Sequence, residues 1–217
     1  VSKTVIIKYN AGNIRSVLFA LERIGIEAVV TDSHDEIRNA DRVIFPGVGE
    51  ASSAMQYLEQ RGMVELIKSL KQPVLGICLG MQLMCAFSEE NNTKCLGIFE
   101  QKVLKFPETA GFKVPQIGWN NITSLKSPLF KGVEEEAFMY FVHGYYVEKC
   151  ENAIATTDYI QPYSAAIQKD NFYAVQFHPE KSGDVGERIL RNFISLSGER
   201  KAVSGKLKAN SEDEICF

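Results

Sequence analysis

The chain has 217 residues, 45% hydrophobic and 24% charged, the balance of an ordered globular domain and not of a disordered or fibrous one. Lys and Arg total 24 against 27 Asp and Glu, a formal charge of -3, so the basic excess that phosphate neutralisation requires is missing and nucleic acid is not an expected partner. No apolar run approaches the roughly 20 residues of a membrane span, and the opening VSKTVIIKYN has too short an apolar stretch for a signal peptide, so neither a membrane nor secretion is expected.

Short β-branched runs at 4–7, 28–31, 43–45 and 73–77 are predicted as buried strands. Between the first two, Val17, Leu18, Leu21 and Ile24 fall at helical spacing across 13–24, and Gly25 ends the pattern. Helix-like stretches at 51–58 and 63–70 precede the fourth strand. This βαβα order implies a parallel sheet covered on both faces. From 97 to 176 strand-like segments dominate (98–106, 137–142, 153–157, 165–168 and 173–176), and one helix is predicted at 186–196. The fold expected is α/β: an open twisted sheet with a parallel core, an antiparallel extension and helices on both faces. One domain is assigned to 1–198. The segment 199–217 is expected as a polar, charged tail, mobile apart from a terminal Ile215-Cys216-Phe217 able to dock.

Five cysteines (Cys78, Cys85, Cys95, Cys150, Cys216) are odd in number and scattered, without C-x-x-C, and do not form a disulfide framework. The three histidines are far apart, so no metal site and no cofactor are expected. A reducing, cytoplasmic setting fits such thiols.

The strongest local signal is Gly76-Ile77-Cys78-Leu79-Gly80, directly after an apolar run and before a helical pattern. A nucleophile between small residues at a strand-to-helix junction is an elbow: glycines permit the tight turn, and the helix start favours thiolate. The amide of Leu79 is then placed to donate to an oxyanion. In Val175-Gln176-Phe177-His178-Pro179-Glu180, positions i and i+2 of an extended segment share a side, so Glu180 can orient His178 while His178 takes a proton from Cys78. His143 is the rival base, with no acid near it before Glu148, and His34 lies in a polar stretch expected to be solvated. At Phe45-Pro46-Gly47-Val48-Gly49, flanking glycines let the Gly47–Val48 peptide point either way, and the amide of Val48 is a candidate second oxyanion donor.

PGVG, GICLGMQ, GWN, FVHGY and QFHPEKS, in this order and spacing, resemble the class I glutamine amidotransferases, and more narrowly the glutaminase subunits of imidazole glycerol phosphate synthases. The resemblance runs from Lys8 through the last helix and excludes the tail. It implies Cys78 as nucleophile, His178 as general base and acid, and Glu180 as its orienter. It also implies substrate contacts from Gln82, Glu90 and the loop backbone at Gly47, Gly49, Gly144 and Tyr145. Helix geometry alone favours Glu89, seven residues after Gln82; a helix frayed by Ser88 favours Glu90, the preferred choice. The family often has Ser or Thr where this chain has Gly144, so only a main-chain contact is inherited there.

The implied activity is glutamine hydrolysis through a thioester. The implied partner is a cyclase, a (β/α)8 barrel forming a heterodimer, which takes the ammonia to make imidazole glycerol phosphate in histidine biosynthesis. Trp119, Tyr140 and Lys181 are the docking candidates by family position. With the Gly47–Val48 peptide free to turn, the lone chain is expected to be a poor glutaminase. Competing readings are an amidotransferase serving another synthase, such as sugar amination, a non-enzymatic module on the same fold, and a general cysteine hydrolase.

Overall fold

The structure, a computed structural model, describes residues 2–196. The tail expected at 199–217, with Cys216, lies outside the described residues. The first half alternates β1 (Thr4–Ile7), α1 (Ile14–Arg23), β2 (Ala28–Thr31), α2 (His34–Arg38), β3 (Arg42–Gly47), α3 (Ala51–Gln60), α4 (Met63–Ser69), β4 (Val74–Cys78) and α5 (Leu79–Met84). Short strands follow: β5 (Phe87–Ser88), β6 (Thr93–Lys94), β7 (Lys102–Lys105), β8 (Gln116–Ile122), β9 (Ala137–His143) and β10 (Tyr145–Val147). The chain then makes β11 (Ala153–Tyr159), β12 (Gln161–Lys169), β13 (Phe172–Val175) and α6 (Gly183–Ser195).

A seven-stranded sheet in the order β11-β12-β13-β4-β3-β1-β2 forms the centre. Strands β13, β4, β3, β1 and β2 run parallel, and β11 and β12 add the antiparallel extension. Alternation along the strands divides the core in two. Val5, Ile7, Val43, Phe45 and Val74 pack on one face with α3, α4 and α5, while Ile6, Ile44, Leu75 and Ile77 pack on the other with Val17, Leu21, Ile189 and Phe193 of α1 and α6. Both faces being covered is why the central strands read as unbroken apolar runs.

Several expectations change. The run at 28–31 is an edge strand, half-exposed at Val29, because β2 has a neighbour on one side only. The segment 98–106 contributes only the four residues of β7. Residues 116–122, not assigned a state beforehand, form β8, paired with β9 as a separate two-stranded sheet. His34 begins α2 and its Nε2 donates to the Arg61 carbonyl at 2.9 Å, so it is held and not simply solvated. Among the described residues no helix is long and apolar enough to cross a membrane.

Candidate active site

Because β3, β4 and β13 are adjacent and parallel, their C-terminal ends meet at one sheet edge, where open α/β sheets bind ligands. The register sets Gly47 beside Cys78 and Val175 beside Ile77. The ends of two strands far apart in sequence, at Gly47 and Val175, therefore flank one thiol. Cys78 sits between β4 and α5 at φ 52°, ψ -106°, a conformation that side-chain-bearing residues rarely adopt. The neighbouring glycine is required by contact: a Cβ at Gly80 would overlap the carbonyl of Phe45. Helix α5 has only six residues, so its dipole adds little to what nearby side chains do.

His178 Nδ1 lies 2.7 Å from Glu180 Oε1, both side chains out of solvent. The pair forms across a 3₁₀ turn, Pro179–Lys181, and not along an extended strand as expected: His178 is the last extended residue. Nδ1–H donates to the carboxylate, and Nε2 carries no hydrogen bond among the described residues, which leaves it to exchange a proton with the thiol. Burial alone lowers the imidazole's pKa; its interactions with Cys78 and Glu180 outweigh burial and raise the pKa to about 10.

Two polar side chains that sequence reasoning left without a role complete the cluster. The Asn13 amide, 3.4 Å from His178 Nδ1, donates to Glu180 Oε1. Gln176 is fully buried, its Nε2 donating to Cys78 Sγ at 3.7 Å and its Oε1 accepting from Gln82 Nε2 at 3.1 Å. A glutamine within the apolar Val-Gln-Phe strand end is the only local sign of it. The rival base is occupied elsewhere. His143 Nδ1 donates to the Tyr145 carbonyl at 2.7 Å, and its Nε2 lies 3.0 Å from the Tyr163 hydroxyl. Burial lowers its pKa to about 4, so it is neutral, with Nδ1–H committed to the Tyr145 carbonyl.

A cavity of about 440 Å³ opens over Cys78, lined by Val48, Gly49, Leu79, Gln82, Glu90, Gly144 and Tyr145 of the predicted set. Gly47, the last residue of β3, is not among the lining residues. Gln82 spends its amide on Tyr145 O and Gln176, leaving its own carbonyl oxygen for another donor. Helix α5 ends at Met84, earlier than expected, so helical spacing does not decide between the two glutamates. Glu90 is half-buried in the cavity wall, accepts from the Ala51 amide at 2.7 Å, and has its pKa raised, chiefly by burial. Glu89 is exposed and accepts from the Lys105 amide. The Gly144 carbonyl already accepts from Phe106 N. Lys105 also lines the cavity, a cation the sequence reading did not single out.

Trp119, Tyr140 and Lys181 lie outside the cavity and together: Trp119 faces Tyr140 across β8–β9 with ring centroids 5.8 Å apart, and Lys181 Nζ is 5.9 Å from the Tyr140 ring centre. Directly opposed residues share a face, so Ile117, Trp119, Phe138, Tyr140 and Val142 form one outer surface. Ile117, Trp119 and Phe138 are each more than half exposed, at 64%, 56% and 58%. The remaining described thiols differ from Cys78 in setting: burial pushes Cys85 well above its ordinary range and Cys95 up to about 12.

The sequence matches the family described as glutamine amidotransferase class-I over residues 5–196. It is 61% identical over 195 residues to the imidazole glycerol phosphate synthase subunit HisH of Bacteroides fragilis, an alignment covering 89% of this chain and 100% of that one. It is 46% identical over 190 residues to HisH of Haemophilus influenzae, covering 87% and 95%. Among solved structures, PurLQS from Thermotoga maritima superposes with a TM-score of 0.69 at 16% identity, covering 89% of this chain and 97% of that one, a likeness of fold.

Proposed function

We propose that this chain, which belongs to the class-I glutamine amidotransferase family, hydrolyses glutamine and passes the ammonia to a separate cyclase that makes imidazole glycerol phosphate in histidine biosynthesis. One observation carries the chemistry: a thiol on a strained elbow interacts with a buried imidazole–carboxylate pair, beside a cavity lined by loop residues and a carboxylate.

Cys78 thiolate attacks the side-chain carbonyl of glutamine, and the amides of Leu79 and Val48 hold the oxyanion. Collapse expels ammonia with a proton from His178 and leaves a thioester. Water, deprotonated by His178, releases glutamate and regenerates the thiolate–imidazolium pair. Glu180 keeps the imidazole in one tautomer throughout. The α-amino end of the substrate meets Glu90, with Lys105 supplying the opposite charge and Gln82, Gly49, Gly144 and Tyr145 the polar contacts.

Free ammonia is mostly protonated in neutral water, so the product must leave through a dry passage into its acceptor. The outer face of β8–β9 suits that handover: it is apolar, exposed, rimmed by Lys181, and continuous through Val142 with the cavity wall. The partner is a (β/α)8 barrel, the complex a heterodimer, the setting cytoplasmic, and no cofactor takes part. Relatives at 61% and 46% identity that carry the histidine-pathway name support this partner over a synthase for sugar amination.

Glutamate release is measured with and without the cyclase partner and its nucleotide, and the chain is treated with a glutamine-mimicking electrophile. Turnover raised by the partner, with labelling at Cys78 that Cys78→Ser abolishes, is the expected result. No glutamate under either condition, or labelling at Cys85 or Cys150 instead, rejects it.

A further inference from the structure

We infer that Tyr9 is a positioning residue for the oxyanion-binding loop, its hydroxyl tying the Pro46 carbonyl and so fixing where the end of β3 lies beside Cys78. This rests on the glutaminase reading above.

Tyr9 lies two residues beyond the end of β1, 5% exposed, its ring 5.1 Å from that of Phe45. The hydroxyl donates to the Pro46 carbonyl at 2.7 Å in a buried setting. It also fills the space beside Gly47, where an added Cβ would overlap the phenol oxygen. Beyond the next peptide, the Val48 carbonyl accepts from the Gly12 amide at 3.2 Å. The two carbonyls that flank the Gly47–Val48 peptide are thus both tied to residues 9–12, just after β1. Together with the register of Gly47 beside Cys78, these two ties fix the course of the loop past the thiol.

Burial, and then the charge of Cys78, push the Tyr9 phenol well above its ordinary range. The hydroxyl therefore keeps its proton, and its bond to Pro46, at any pH at which the triad works. Without it the Pro46 carbonyl loses that donor and the end of β3 gains freedom. The Val48 amide then no longer arrives where oxyanion charge develops, although the thiol itself is unchanged.

The test is Tyr9→Phe in the complex with the cyclase partner, with two readouts. Turnover requires the oxyanion site; alkylation of Cys78 by iodoacetamide is a displacement at a saturated carbon and does not. The expected result is kcat for glutamate release lower by about 10- to 100-fold, KM within about twofold, and an unchanged alkylation rate. An unchanged kcat overturns the inference, as does a parallel loss of alkylation and turnover, which would place the damage at the elbow. A wild-type complex that releases no glutamate removes the glutaminase reading itself, and the inference with it.

Discussion

The main-chain carbonyl of Tyr140 accepts a hydrogen bond from the amide of His178 at 2.8 Å. Ser182 Oγ closes a second link, accepting from Tyr140 N at 3.0 Å and donating to the His178 carbonyl at 2.6 Å. One strand residue thus holds His178 through its backbone and presents its ring on the exposed outer face of β8–β9. Pressure from a docked partner on that face has a short path to the imidazole.

Trp119→Ala is expected to weaken the complex roughly 30-fold, about 2 kcal/mol, as a large exposed anchor does when removed. The Tm of the free chain should barely move, since the ring is 56% exposed. Titration of the two purified proteins measures the first and thermal unfolding the second. Unaltered affinity would exclude this face as the dock.

Asn13 sits at φ 73°, where Asn and Gly are tolerated and other residues are strained. Asn13→Gly keeps that backbone and removes the amide that donates to Glu180. Turnover is expected to drop by about tenfold, the size of one lost orienting hydrogen bond of about 1.4 kcal/mol, with little loss of stability. Asn13→Ala should lose the same activity and about 1 kcal/mol of stability in addition. Full activity in the glycine variant would show that the amide does not serve Glu180.

The two buried histidines set opposite limbs of the stability profile. His178 is raised from 6.5 to about 10, so its contribution is complete below about pH 6.5 and is lost as pH rises towards 10. His143 is lowered from 6.5 to about 4, so the unfolded chain binds the extra proton first and stability is lost as pH falls between those values. Unfolding midpoints against pH should show a flatter alkaline limb in His178→Asn and a flatter acid limb in His143→Gln. Slopes identical to wild type would contradict these assignments.

Two glycines make a matched pair. At Gly80 a Cβ would overlap the Phe45 carbonyl, backbone against backbone, and Gly80→Ala is expected to cost about 3 kcal/mol or more. At Gly144 the nearest atoms to an added Cβ are side-chain carbons of Pro115 and Val114 at 3.8 and 3.9 Å. Gly144→Ser should therefore stay within about 1 kcal/mol of wild type. Denaturant unfolding of both variants checks the contrast.

What the sequence determined alone was whatever is encoded over a few residues. The runs Thr4-Val5-Ile6-Ile7 and Val74-Leu75-Gly76-Ile77 specify strands because a parallel strand covered on both faces has no polar side to show. The elbow at Cys78 is legible because its turn needs glycines at fixed offsets, and His178 and Glu180 because they are two residues apart. Tertiary structure decided the rest. Asn13, Lys105 and Tyr9 carry no local signature, and Gln176 only its polarity in an apolar strand end, since the groups they reach or line lie between 37 and 167 positions away or belong to several elements. Glu89 and Glu90, one residue apart, differ in setting only through tertiary structure: Glu90 lines the cavity and accepts from the α3 amide, while Glu89 is exposed. The physical reason is strand order: placing β4 between β3 and β13 converts distant segments into neighbours, and no short-range periodicity records that choice.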